Sequence, residues 1–136
     1  MHQQLKKALQ ELSQALQELH RDLLMLEAKT LESEPGLPVN PYDLLQASLH
    51  DPNFAWLRKI STLIVHIDIV VDESTNLSGI EANQINDQVL RLIEKPDVKL
   101  DQEFWNKYSA HLSHNADIIL KHSKVKTILT RLRPKI

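Results

Sequence analysis

The sequence predicts an all-α protein: an up-down-up-down four-helix bundle with long N- and C-terminal helices and one short extra helix after a proline-rich loop. Three observations lead to this fold class. Leucines recur at helical spacing through the first thirty residues, and a second apolar stripe at helical spacing runs through residues 54–73. The chain also has only two glycines in 136 residues, too few for the frequent turns of a β-sandwich or barrel.

The first element is a helix predicted over residues 3–31. Seven of its leucines are spaced alternately by four and three residues: Leu5, Leu9, Leu12, Leu16, Leu19, Leu23 and Leu26. Such a seam occurs both in helices packed inside a bundle and in homotypic coiled coils. The flanking positions set up no complementary charge pattern, and Ala8 and Ala15 widen the apolar stripe. We therefore favour packing within the chain, with self-association through the Leu5–Leu26 seam as the alternative.

Two proline signals divide the next part of the chain. The stretch "ESEPGLPVNP" holds three prolines and one glycine, which predicts a loop. Asn40 before Pro41 then begins a short helix predicted over residues 41–50, and Asp51 before Pro52 begins the next helix.

The helix predicted over residues 52–74 competes with a strand and with a membrane span. Residues 65–72 alternate as a strand would, but a helical stripe covers about five turns: Leu57, Ile60, Ile64, Ile67 and Val71. No second strand candidate exists to pair with it. Five charged residues break the run far below the roughly 18 uncharged residues that a membrane span needs.

Two more helices complete the predicted single domain, which covers residues 1–136. The spacing of Ser78 and Glu81 is that of a capping box and begins a helix over residues 78–94, with four inward residues: Ile85, Val89, Leu92 and Ile93. The last helix is predicted over residues 101–133, with one continuous apolar stripe: Phe104, Trp105, Tyr108, Leu112, Ala116, Ile119, Ile128, Leu129 and Leu132.

Composition limits the function classes. The absence of cysteine removes disulfides, thiolate zinc sites and cysteine nucleophiles. The net charge of −2 makes nucleic-acid binding an unfavoured prediction, and the N-terminus has no apolar signal core, so we expect a cytoplasmic protein. Six cations and no acid between Lys121 and Lys135 fit either a favourable helix-dipole interaction or a contact with phosphate or an acidic partner.

The most suggestive metal-ligating pattern is "HLSHNAD", which spaces His111, His114 and Asp117 by three residues. On a helical wheel these residues lie at or beyond the border of the apolar stripe, and a metal site needs three or four converging ligands. We therefore predict a polar helix edge, with no metal, no cofactor and no catalytic residue. Asp68, beside the apolar arc of its helix, is predicted to be a paired boundary carboxylate.

The stretch "DPNFAWLRKISTLIVHID", residues 51–68, resembles segments of small bacterial all-helical proteins that have no assigned function. The resemblance covers core residues and implies neither an activity nor site residues. The sequence thus favours a non-enzymatic bundle that acts through protein–protein contacts. The alternative is a small-molecule- or metal-binding bundle, and a core pocket lined by Trp56, Trp105 or Tyr108 would favour it over an exposed apolar patch.

Overall fold

The computed structural model describes residues 2–32, 52–73, 79–94 and 102–132, and all of these except Glu94 and Asn115 are helical, with no strand among them. The all-α prediction is confirmed. The helices are α1 (His2–Glu32), α2 (Arg58–Glu73), α3 (Gly79–Ile93), α4 (Gln102–His114) and α5 (Ala116–Leu132), and a 3-10 helix (Pro52–Leu57) leads into α2. The short helix predicted over residues 41–50 and the proline-rich loop lie outside the described residues.

α1 is the central helix of the packing, and it packs most extensively against α5 and α2. Five leucines of its seam are at most 1% exposed: Leu9, Leu12, Leu16, Leu19 and Leu23. Leu5 and Leu26 pack half-buried against the same core. The chain itself therefore covers the seam, and a coiled coil would need apolar surface that is already buried. Each fully buried leucine stabilises this core by roughly 1.5–3 kcal/mol.

α2 is helical where the sequence predicts it, although its first turn differs. The segment begins as a 3-10 helix at Pro52 and becomes α-helical only at Arg58. Four residues of the predicted stripe are buried: Leu57, Ile60, Ile67 and Val71. The exposed Asp68 has a partner, because the buried Ser13 hydroxyl of α1 donates a 2.6 Å hydrogen bond to its carboxylate. This bond ties α2 to α1.

α3 buries all four residues that the sequence places inward, and it also buries Asn86, which is 1% exposed. The Asn86 side-chain amide donates a 2.6 Å hydrogen bond to the backbone carbonyl of Leu129, in the last turn of α5. Further along, Lys126 of α5 forms an ion pair with Glu94, just after α3. Because one sequence number rises as the other falls, α3 and α5 run in opposite directions.

The prediction of a single helix over residues 101–133 is wrong, because the helix is interrupted at Asn115 and two helices, α4 and α5, form instead. The Asn115 side-chain oxygen accepts hydrogen bonds from the backbone amides of Asp117 and Ile118, at 3.0 and 3.2 Å, and so caps the start of α5. The break also shifts the helical phase. Ile118 is fully buried, whereas Ile119, which belongs to the predicted stripe, is 48% exposed.

α4 folds back on α5. Tyr108 and His122 are 14 residues apart, which would separate them by about 21 Å along one continuous helix, yet their ring centroids are 5.6 Å apart. α4 also contacts the 3-10 helix through Trp56 and the end of α1 through Glu27. It therefore lies across the end of the molecule where α1 ends and α2 begins. Within the described ranges no helix is both long and apolar enough to cross a membrane.

Candidate functional site

A groove lies between the start of α2 and the end of α3, with a volume of about 430 Å³. Its apolar floor includes Leu63 and Leu92, which are half-buried and buried respectively. Three cations line it: Arg58, Lys59 and Arg91. Since α2 contributes its first residues and α3 its last, the two helices run in opposite directions. None of the described residues that line this groove is acidic.

The outer surface of α2 and α3 continues beyond the groove, and its charge changes sign. At 100° per residue, Lys59, Thr62, His66, Ile69 and Glu73 share one side of α2. Glu81, Gln84, Gln88 and Arg91 share the corresponding side of α3. We call these nine residues the α2–α3 face. Eight of them are exposed, including Ile69 at 47%, and Glu81 is half-buried.

Among these nine residues the charges lie at the two ends, basic at one and acidic at the other, and the exposed Asp87 borders the middle on α3. Lys59 and Arg91 mark the basic end, and Glu73 and Glu81 mark the acidic end. Ile69 lies between them, and Val65, which is 56% exposed, borders the middle on α2. An exposed apolar centre between opposite charges is the composition expected of a contact surface.

The basic C-terminal segment joins α5 to α1 and to the end of α3. Four of its cations form ion pairs with acids elsewhere in the chain: Lys121 with Asp22, Lys124 with Glu18, Lys126 with Glu94, and Arg131 with Glu11. The three pairs between α1 and α5 show that these helices are antiparallel, because the residue numbers in α1 fall as those in α5 rise. Neither interpretation suggested by the sequence, a helix dipole or an external anion, includes these cross-helix pairs. The remaining two cations, Arg133 and Lys135, lie outside the described residues.

A closed aromatic cluster joins α4 to the rest of the core. Trp56 packs edge-on against Phe104 at 5.4 Å between ring centroids, and Phe104 lies 5.6 Å from Tyr108. Tyr108 is fully buried, and its hydroxyl lies 2.6 Å from Nδ1 of His122. These contacts make the cluster part of the packed core.

The pKa values of Tyr108 and His122 determine the protonation states of this hydrogen-bonded pair. Burial raises the pKa of Tyr108 above its usual value, so the hydroxyl keeps its proton. Burial and the Lys126 ammonium lower the pKa of His122, although Glu94 acts in the opposite sense. The histidine is therefore neutral at pH 7, and in its Nε2-protonated tautomer Nδ1 accepts the hydrogen bond from the Tyr108 hydroxyl. The bond satisfies a buried hydroxyl that would otherwise cost about 1–3 kcal/mol.

The three metal-ligand candidates do not converge. His111 donates a 3.1 Å hydrogen bond to Glu27 and stacks on Trp56, with 5.9 Å between ring centroids. His114 ends α4 and is exposed, while Asp117 is exposed on the far side of the break, in the first turn of α5. No group of three or more histidine or acidic residues in the described part of the chain could hold a metal ion. One buried donor, Nε1 of Trp56, has no hydrogen-bond partner there.

Comparison with known proteins gives no match to a protein family, a curated protein or a solved structure. The assignment of a function therefore depends on the surface itself. The sequence did not predict the α2–α3 face, because apolar periodicity identifies buried stripes and the face consists mainly of polar residues outside those stripes. The signal was present: Lys59, His66 and Glu73 are spaced by seven residues, from a cation to an acid.

Proposed function

We propose that the protein is a non-enzymatic helical bundle that acts by binding another protein chain through the α2–α3 face. The observation that carries this proposal is the groove, in which three cations surround a leucine floor and no carboxylate is among its described lining residues. Charged groups on an interface raise association rates and select the partner, and apolar area supplies affinity.

The proposal includes an architecture, an up-down-up-down bundle formed by α1, α2, α3 and α5, with α4 across one end. The opposite directions of α2 and α3, of α3 and α5, and of α1 and α5 support it. In that arrangement the α2–α3 face lies on the outside of two adjacent walls, away from the α1 seam. A rigid pair of helices of this kind presents a groove to a partner without prior rearrangement.

Photocross-linking in the source cells tests the proposal. A photoreactive residue replaces the exposed Thr62, at the centre of the groove rim, and in a matched variant it replaces the exposed Gln10 on α1. We expect illumination to give a discrete adduct with a protein chain from position 62 and none from position 10. Adducts absent from both positions, or equal at both, would contradict protein binding at this face.

A small-molecule ligand is the second candidate function. The groove volume of about 430 Å³ favours it, because this lies within the usual range of ligand pockets. Such pockets enclose most of their ligand, however, whereas this groove is open along its length. Native mass spectrometry of protein purified from the source cells distinguishes the candidates: a stoichiometric small-molecule adduct that Arg91→Glu removes would favour the ligand over the protein partner.

A further inference from the structure

The charge order of the α2–α3 face makes it complementary to itself. Two copies that meet face to face in antiparallel orientation bring each basic end against the other copy's acidic end. In a dimer with a two-fold axis, the same patch serves both subunits, so a surface that is complementary to itself is what such an interface requires. Few surfaces satisfy this condition, because most charged patches repel their own copy.

The positions of the charges agree with one axis. On α2, the residue midway between Lys59 and Glu73 is His66, and on α3 the residue midway between Arg91 and Glu81 is Asn86. An axis perpendicular to the helices at this level places α2 against α2 and α3 against α3 of the second copy. Lys59 then faces Glu73 of the other copy, and Arg91 faces its Glu81. Symmetry repeats both contacts, which gives four ion pairs around Ile69 and its neighbours.

The size of the face indicates how tightly two copies would hold. α2 has 16 residues and is therefore about 24 Å long, and two adjacent helices are about 20 Å wide. The footprint is about 500 Å² on each copy, or about 1,000 Å² in total, at the lower limit for specific interfaces. A dimer of this size forms and dissociates reversibly, and we expect a dissociation constant in the micromolar range.

We propose that the α2–α3 face is the contact surface of a homodimer in which two copies meet antiparallel, basic end to acidic end. This inference rests on the proposed protein-binding function and names the bound chain as a second copy of this one. The opposite signs of the two ends carry it, and the exposed Ile69 at 47% and Val65 at 56% provide apolar contact between them.

Charge exchange is the decisive experiment, with mass measured by sedimentation equilibrium at low salt. The full chain should shift with concentration from 15.7 kDa toward twice that mass. One variant, Lys59→Glu with Arg91→Glu, carries acids at both ends of the face. The other, Glu73→Lys with Glu81→Lys, carries cations at both ends. Each alone should dimerise at least about tenfold more weakly, because the four contacts become repulsive. An equimolar mixture should restore the dimer as a heterodimer.

A matched control reverses two exposed cations elsewhere, Lys7→Glu with Arg21→Glu on α1, and should leave the dimer unchanged. Circular dichroism and thermal unfolding establish that every variant is folded. A wild-type chain that stays monomeric at several hundred micromolar overturns the proposal. So does a mixture of the two variants that stays monomeric, or a control that weakens the dimer equally.

A second measurement locates the axis. The chain contains no cysteine, so His66→Cys introduces its only thiol, at the centre of the predicted interface. Mild oxidation should link two copies rapidly, whereas Gln14→Cys on the outer side of α1 should react slowly. Equal rates would overturn the antiparallel register. A monomeric protein that still gives a position-62 cross-link to a different protein would remove the dimer but leave the proposed function intact. A dimer with no cellular cross-link would contradict the proposed function instead.

Discussion

The buried amide of Asn86 offers the most direct test of how the helices are held in register. Its side chain is 1% exposed and donates a 2.6 Å hydrogen bond across the core to the carbonyl of Leu129. Asn86→Ala removes this bond, leaves a small void and leaves the Leu129 carbonyl without its side-chain donor. A buried polar group deprived of its partner costs about 1–3 kcal/mol. For a domain of this length, each kcal/mol lowers Tm by about 4 °C, so we expect a decrease of about 4–12 °C.

The chain supplies a matched control on the same helix. Asn83 is exposed and lies three residues before Asn86. Asn83→Ala therefore makes the same chemical change at a solvent-facing position, and alanine's higher helix propensity should stabilise this variant by up to about 0.6 kcal/mol. Subtracting the control from the test removes the propensity contribution. The difference measures the tertiary hydrogen bond and its surroundings.

Urea unfolding followed by circular dichroism gives both free energies, and equal m-values would show that the variants unfold from comparably compact states. Asn86→Asp extends the test, because a carboxylate facing a backbone carbonyl is repelled, and it should destabilise the fold more than alanine does. If Asn86→Ala and Asn83→Ala agree within about 0.5 kcal/mol, the hydrogen bond to Leu129 does not hold α3 against α5.

Three further outcomes are expected. Burial lowers the pKa of His122 below 6.5 in the folded protein. Below pH 6.5 the unfolded chain therefore binds more protons than the folded chain, and the folded state loses stability as the pH falls. His122→Gln should reduce this loss between about pH 7 and 5 in urea titrations, and the exposed His114→Gln should not. Asn115→Ala should cost about 1 kcal/mol of unfolding free energy by removing the cap of α5, while Asn115→Asp retains it. Leu16→Ala should cost about 2–5 kcal/mol because Leu16 is buried in the seam, against a negligible change for the exposed Gln14→Ala.

Much of the interior was predictable because burial leaves a period in the sequence. The leucine seam of α1 and the inward residues of α3 are buried as their spacing predicts. Periodicity assigns a residue to a side of its own helix, so it succeeds wherever the helix is continuous. After Asn115 the prediction is right for Ile128, Leu129 and Leu132, which are buried, and wrong for Ile119, which is exposed. It also misses the buried Ile118 and Val125. The interruption at Asn115 changes the phase in the first turn of α5, where Ile118 and not Ile119 is buried.

The break itself had a local signal. Asn115 is a preferred N-cap residue, and Asp117 supplies an acid in the first turn of the helix that follows. Apolar residues at helical spacing lie on both sides of Asn115, however, and this spacing favours a single long helix over a break at one capping residue. The contact between Tyr108 and His122 holds α4 against α5. A contact between two helices leaves no pattern in the sequence, so this fold-back could not be predicted.

The polar contacts inside this molecule explain why the same leucines do not pack in several arrangements. Apolar side chains of similar size tolerate many partners, so a leucine-rich core alone determines burial better than it determines neighbours. Three directional hydrogen bonds remove that freedom: Ser13 to Asp68 sets α1 against α2, Asn86 to Leu129 sets α3 against α5, and Tyr108 to His122 sets α4 against α5. A shift of any pair by one turn would leave a buried donor unsatisfied. Ion pairs between α1 and α5 connect these bonds, so together they fix the position of α2 relative to α3.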